Sequence, residues 1–168
     1  MHIIVKSSIH SLEKSIKLLE ILTNDELANT SVSPYYSSVG SHLRHIFDIY
    51  QCIIDGYSLR RIDLTLRSRD TRVETDANYA LNKVKTIIKT LKNIDNLDIY
   101  QIVLDDLGLG KVEIEYTLAS ILAQANSHAI HHYALINYIL DRLDIKFDDD
   151  KFGFNPTTPM KAKEVKNF

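Results

Sequence analysis

Residues 118–143 read LASILAQANSHAIHHYALINYILDRL, and the reading of this stretch decides the fold. Ile121, Ala125, His128, His132, Ile136 and Ile139 recur at the spacing of one helix face. Thr117 is a good N-cap residue just ahead of it. The pattern predicts a helix from about Leu118 to Leu143. Alkyl side chains flank the histidines along the face, so it points into the core. His128 and His132 sit one turn apart on it, the spacing at which two imidazoles can chelate one ion.

Upstream of this helix the period changes. Val112, Ile114 and Tyr116 alternate with Glu113 and Glu115, and Ile99 to Leu104 precede Leu107-Gly108-Leu109-Gly110. That predicts a β-hairpin with a glycine-containing turn. Further back, helical spacing returns. Tyr79, Leu81, Val84, Ile87, Ile88 and Leu91 predict a helix over about Asp76 to Leu91. Leu43, Ile46, Phe47, Tyr50 and Ile54 predict one from Ser37 or Ser38 to about Asp55, with Gly56 as its stop. Ile9, Leu12, Ile16, Leu19 and Leu22 predict a first helix over about Ser8 to Thr23, and Asn24-Asp25-Glu26 reads as the cap of a short turn.

Three stretches lack a period. Ser31 to Tyr36 is a loop punctuated by Pro34. Tyr57 to Thr75 is rich in arginine and aspartate and reads as a surface loop. The tail after Lys146, with Gly153, Pro156 and Pro159, reads as irregular. Four amphipathic helices in a chain of 168 residues predict a mainly all-α fold. Its expected form is an up-down four-helix bundle with a small β-hairpin before the last helix. A single domain over residues 1–168 is expected, irregular from about residue 145.

Composition narrows the function classes. The chain is 45% hydrophobic and 25% charged, ordinary values for a globular domain. Its 20 basic and 22 acidic residues leave a formal charge of −2, against the basic excess that phosphate neutralisation requires of a nucleic-acid binder. Arg60, Arg61, Arg67, Arg69 and Arg72 are locally basic, but Asp63, Asp70, Glu74 and Asp76 interrupt them. The lone Cys52 allows neither an internal disulfide nor a cysteine-rich zinc site, and reads as a small core residue. No apolar run is long enough to span a bilayer. Met1-His2-Ile3-Ile4-Val5-Lys6 lacks the layout of a signal peptide, so the expected location is cytoplasmic.

Five of the seven histidines fall in two clusters, His42 with His45 and His128 with His131 and His132. A third ligand from the earlier helix would complete a three-histidine site, which leaves positions open for water or substrate. Imidazole ligands suit Zn, Ni, Fe or Cu. The competing reading is that these are hydrogen-bonded core histidines. Several imidazoles buried without a shared partner are costly, which favours the metal.

Ser38-Val39-Gly40-Ser41-His42-Leu43-Arg44-His45-Ile46 and Ser127-His128-Ala129-Ile130-His131-His132-Tyr133-Ala134-Leu135-Ile136 resemble the paired signatures of the DinB/YfiT-like superfamily. Its members are four-helix bundles with a three-histidine metal site. Arg67 to Asp76 and Phe152 to Pro156 resemble segments of one branch of it. The resemblance covers most of the chain. It implies His45, His128 and His132 as metal ligands, with His42 retained as a competitor for His45. It places His42 and His131 beside the ligands. Tyr133 lies next to them along the helix as a further candidate, against the favoured reading of packing and helix–helix hydrogen bonding. The implied cofactor is a divalent ion, zinc or nickel first and iron next.

The superfamily's chemistry is uneven. Some members resemble thiol transferases that use a low-molecular-weight thiol, and some are linked to metal-dependent hydrolysis. The expectation is therefore a metal-dependent transferase or hydrolase acting on a small molecule. The alternative is a non-catalytic metal-binding stress-response or regulatory protein. Arg67, Arg69, Asp70 and Glu74 are candidates to bind substrate, against the reading of a salt-bridged loop, with Asp70 and Glu74 also the candidate acid or base. Neither nucleic acid nor membrane is an expected partner, and a homodimer is an assembly open to the chain.

Overall fold

A computed structural model of the protein describes residues 1–159. Its elements are α1 (Ile3–Leu19), α2 (Asn24–Ala28), α3 (Val39–Gly56), a 3-10 turn (Tyr57–Leu59), β1 (Arg61–Asp63), α4 (Arg72–Thr75), α5 (Ala77–Leu91), β2 (Tyr100–Asp106), β3 (Lys111–Thr117) and α6 (Leu118–Arg142). The expected all-α up-down four-helix bundle is corrected by this architecture. The fold is mixed α/β, with six helices and a three-stranded mixed sheet.

The sheet has the order β1-β2-β3. β2 and β3 are antiparallel, with Tyr100 opposite Thr117 and Asp106 opposite Lys111. They form the hairpin expected from the alternation. Gly108 (φ 92°) and Gly110 (φ 119°) supply the left-handed backbone of its turn. β1 is the strand that the reading of Tyr57–Thr75 as a loop missed. It pairs in parallel with β2, Arg61 opposite Ile102 and Asp63 opposite Leu104. The Ile102 amide donates to the Arg60 carbonyl (3.0 Å) and the Leu64 amide to the Leu104 carbonyl (2.9 Å). Three residues are too few to display a period, and their hydrogen-bond partners lie far along the chain. Ile62 and Val103 are buried where the sheet meets the helices.

Helix limits follow from caps. Ser38 Oγ accepts from the Ser41 amide (3.0 Å) at the start of α3. Thr117 Oγ1 accepts from the Ser120 amide (3.1 Å) while Ser120 Oγ accepts from the Thr117 amide (2.9 Å) at the start of α6. α1 begins at Ile3, ahead of the expected Ser8, and stops at Leu19. Thr23, expected at its end, instead caps α2 in a reciprocal box with Glu26. Asn24 Oδ1 accepts from the Ala77 amide (2.9 Å), tying α2 to the start of α5.

In the core α3 packs on α6 and α5, and α1 packs on α5 and α6. Leu12, Leu43, Phe47, Val84, Leu122 and Ile136 are buried at this junction. Gly56 is the last residue of α3, where a Cβ would stand 2.3 Å from the Arg61 carbonyl oxygen. The absent side chain thus admits the β1 backbone, a role beyond stopping the helix. The tail is irregular through residue 159, with Phe152 buried against Tyr133. The rest of the expected tail, residues 160–168, lies outside the described residues. No helix among the described residues is long and apolar enough to cross a membrane.

Candidate metal centre

α3 and α6 lie side by side, and their facing turns bring the two histidine clusters together. His45 Nε2 is 2.8 Å from His128 Nε2, and His132 Nε2 is 2.9 Å from the same atom. Ligand nitrogens of the three residues all lie within 4.8 Å of one another. The three histidines are close enough to hold a metal ion. Nitrogens bound at about 2.0–2.1 Å to a tetrahedral ion stand roughly 3.3 Å apart, so His128 needs to part from His45 and from His132 by only about half an ångström.

Without an ion, protons crowd the cluster. Arg67 Nη1 is 2.9 Å from His45 Nδ1. A guanidinium can only donate, so His45 Nδ1 accepts and its proton sits on Nε2. His45 then donates to His128 Nε2. On the other side His42 Nδ1 is 2.8 Å from His132 Nδ1, and His42 Nε2 is 2.8 Å from Ser37 Oγ. With the serine hydroxyl donating to His42, His132 Nδ1 accepts from His42 and His132 Nε2 donates to His128. Two N–H groups then converge on the single lone pair of His128 Nε2. An ion that accepts three lone pairs removes this crowding once the His45 and His132 protons have left Nε2.

The electrostatics agree. Burial lowers the pKa of His45 to about 4, helped next by the Arg67 charge. Burial and then the neighbouring His128 and His45 lower His132 to about 3. His42 and His128 are lowered as well, both chiefly by burial. The imidazoles are therefore neutral near neutral pH, the state in which they can ligate.

His42, the competitor for His45, is behind His132 and bonds to it from outside the cluster. His131 is exposed, with its ring centroid 5.4 Å from that of His132 and no hydrogen bond to it. Tyr133 does not sit beside the ligands, which corrects its candidacy there and agrees with its reading as a packing and hydrogen-bonding residue. It points the other way, into the core, where its hydroxyl meets Ser15 Oγ (2.7 Å) and donates to the Ser11 carbonyl (3.0 Å). The residue next to a ligand in sequence is rotated well round the helix from it. Ser8, Ser11 and Ser15 are buried on α1, which leaves room for the ring.

A cavity of about 110 Å³ adjoins the cluster, with His45 and His128 on its wall. Ile49, Leu64, Ile121 and Ala125 make its apolar lining, and Arg67, Asp105 and Gln124 its polar groups. Of the four residues expected to bind substrate, only Arg67 reaches it. Its Nε donates to the Leu64 carbonyl (2.9 Å), which aims the guanidinium at His45. Arg69 is exposed. Asp70 is engaged by Arg72 (3.0 Å) and by the Tyr79 hydroxyl (2.6 Å), which hold its carboxyl well below the usual range. Glu74 pairs with Arg44, which also donates to Asp48 Oδ2 (2.7 Å). Asp70 and Glu74 therefore take the salt-bridged-loop role, pinning the segment to α5 and α3, while Arg69 makes no ion pair among the described residues. Asp105 and Gln124 were missed. Gln124 could have been found, since it precedes His128 by one turn on the same face. Asp105 had no signal, because its approach depends on where the sheet docks.

Burial raises the Cys52 thiol to about 11, consistent with a packed and unreactive side chain. No protein-family model, curated protein or solved structure matches the chain.

Proposed function

We propose that the chain is a DinB/YfiT-like metal-dependent enzyme, a thiol transferase or hydrolase by type, that acts on a small molecule with zinc or nickel, or else iron, held by His45, His128 and His132. The observation that carries this reading is the convergence of three imidazole nitrogens at a cavity that also presents Arg67, Asp105 and Gln124. A bound ion with an open position would supply Lewis acidity, an acidified water or a thiolate site. Arg67 can hold an anionic group of the substrate. Asp105 can take a proton from a nucleophile, and Gln124 can orient a carbonyl or hydroxyl. Ile49, Leu64, Ile121 and Ala125 restrict water.

A second reading, a non-catalytic metal-binding protein, is favoured by the size of the cavity. Its volume of about 110 Å³ is below the range of about 300–1,000 Å³ usual for ligand pockets. Elemental analysis of the purified protein, followed by thiol-transfer and ester or amide hydrolysis assays on the metal-loaded form, tests both. Stoichiometric metal with turnover that His132→Ala abolishes supports the enzyme. Stoichiometric metal without turnover supports the binder. Failure to take up any divalent ion sinks both.

A further inference from the structure

A larger cavity, about 320 Å³, lies toward the C-terminal end of α6 and shares no lining residue with the one beside His45 and His128. One wall is the segment before α3, through Val32, Pro34 and Tyr35. The other is α6, through Leu135, Tyr138 and Ile139. At about 300 Å³ a pocket is at the small end of the usual ligand range, which suits a molecule with a single ring.

The lining specifies the chemistry further. Tyr35 and Tyr138 are 76% and 73% exposed, and neither hydroxyl is hydrogen-bonded among the described residues. Two such rings at one opening offer flat apolar surface with polar tips. Ser37 and His42 also reach the cavity, but they are already bonded to each other, and the second nitrogen of His42 is bonded to His132. Arg142 is different. It lines the cavity and makes no ion pair or hydrogen bond with its guanidinium among the described residues. Its place in the last turn of α6 offsets the carbonyls there, which leaves the planar fork of donors free to face a ligand. An apolar cleft with one unpaired guanidinium at its edge matches an apolar body that ends in an anion.

We infer that this cavity is a second ligand site, which binds a small single-ring carboxylate, its ring against Tyr35, Tyr138, Leu135 and Ile139 and its carboxylate on Arg142. His45 and His128 take no part in the site, and its one link to the metal cluster is His42, which lines the cavity and bonds to His132.

The test is a titration of the full chain with 3-phenylpropionate, followed by backbone amide NMR shifts, with 3-phenylpropanamide as the neutral counterpart. Saturable shifts confined to the cavity residues are expected. The amide should bind about tenfold more weakly, and Arg142→Gln should weaken the carboxylate by a similar factor, since a charge-assisted bond is lost in each case. Tyr138→Ala should weaken both ligands. His45→Ala should leave carboxylate binding unchanged while it abolishes metal uptake, so the two sites can fail separately. Absence of saturable shifts overturns the inference. So does equal binding of acid and amide to the unaltered protein, which needs no variant to fold.

Discussion

Arg67 places a guanidinium nitrogen 2.9 Å from His45 Nδ1, the ring nitrogen that faces away from the candidate metal position. A metal-bound histidine ordinarily donates from that atom to an acceptor. Here a donor occupies the place, and it carries a positive charge toward an incoming cation. Arg67 therefore opposes metal loading as well as lining the cavity, and it must withdraw from Nδ1 when His45 ligates.

Arg67→Met should accordingly raise metal affinity, by about tenfold if outer contacts here matter as they do in other sites. Competition against a chromophoric chelator measures it. Unchanged affinity would mean that the contact with His45 has no energetic weight.

Replacement of His128 or His132 by Ala should abolish most metal binding, because each deletes a ligand. His42→Ala should cost about tenfold, through lost support of His132. His131→Ala should be close to neutral, since that ring is exposed and unbonded to the ligands. Equal losses in all four variants would show that the ligand assignment is wrong.

The metal-free protein should lose stability in mild acid. His45 titrates at about 4 and His132 at about 3 in the folded chain, both below the ordinary 6.5. As pH falls through 6.5 the unfolded chain takes up protons that the folded chain refuses. Stability present above that pH is thus lost progressively toward pH 4. The melting temperature in chelator should fall across this window, and less steeply in His132→Ala. A level profile would contradict the buried neutral cluster.

Tyr133→Phe should lower stability by about 1–2 kcal/mol and leave metal affinity intact, because the hydroxyl serves Ser15 and the Ser11 carbonyl. Chemical denaturation and metal titration of the same variant check both halves. A loss of metal affinity would return Tyr133 to the neighbourhood of the ligands.

Gly40→Ala should destabilise by about 3 kcal/mol or more, since the new Cβ would stand 2.3 Å from the Glu74 carbonyl oxygen and 2.6 Å from its Cα. Both contacts are backbone, so α4 must shift as a unit. Faster amide exchange over residues 67–76 should accompany the loss. Exchange rates like those of the unaltered protein would place the strain elsewhere.

Local rules made much of the protein legible in its sequence. The period of residues 118–143 set a core-facing helix, and backbone geometry alone put His128 and His132 one turn apart on it. Ser38 and Thr117 announced their helices through side chains that satisfy free amides within three residues. Alternation at Val112 to Tyr116 announced β3. Tertiary structure decided what depends on partners distant in the chain. β1 exists because β2 pairs with it, and that pairing turned the expected helical bundle into a mixed α/β fold. His45 faces His128 and His42 backs His132 because of how α3 lies on α6, an orientation that no spacing within α3 encodes. Arg67 rather than Arg69 reaches the site because the Leu64 carbonyl holds it there. Asp105 arrives with the sheet. A side chain's periodicity is a property of its own backbone, whereas its partner is a property of the packing between elements.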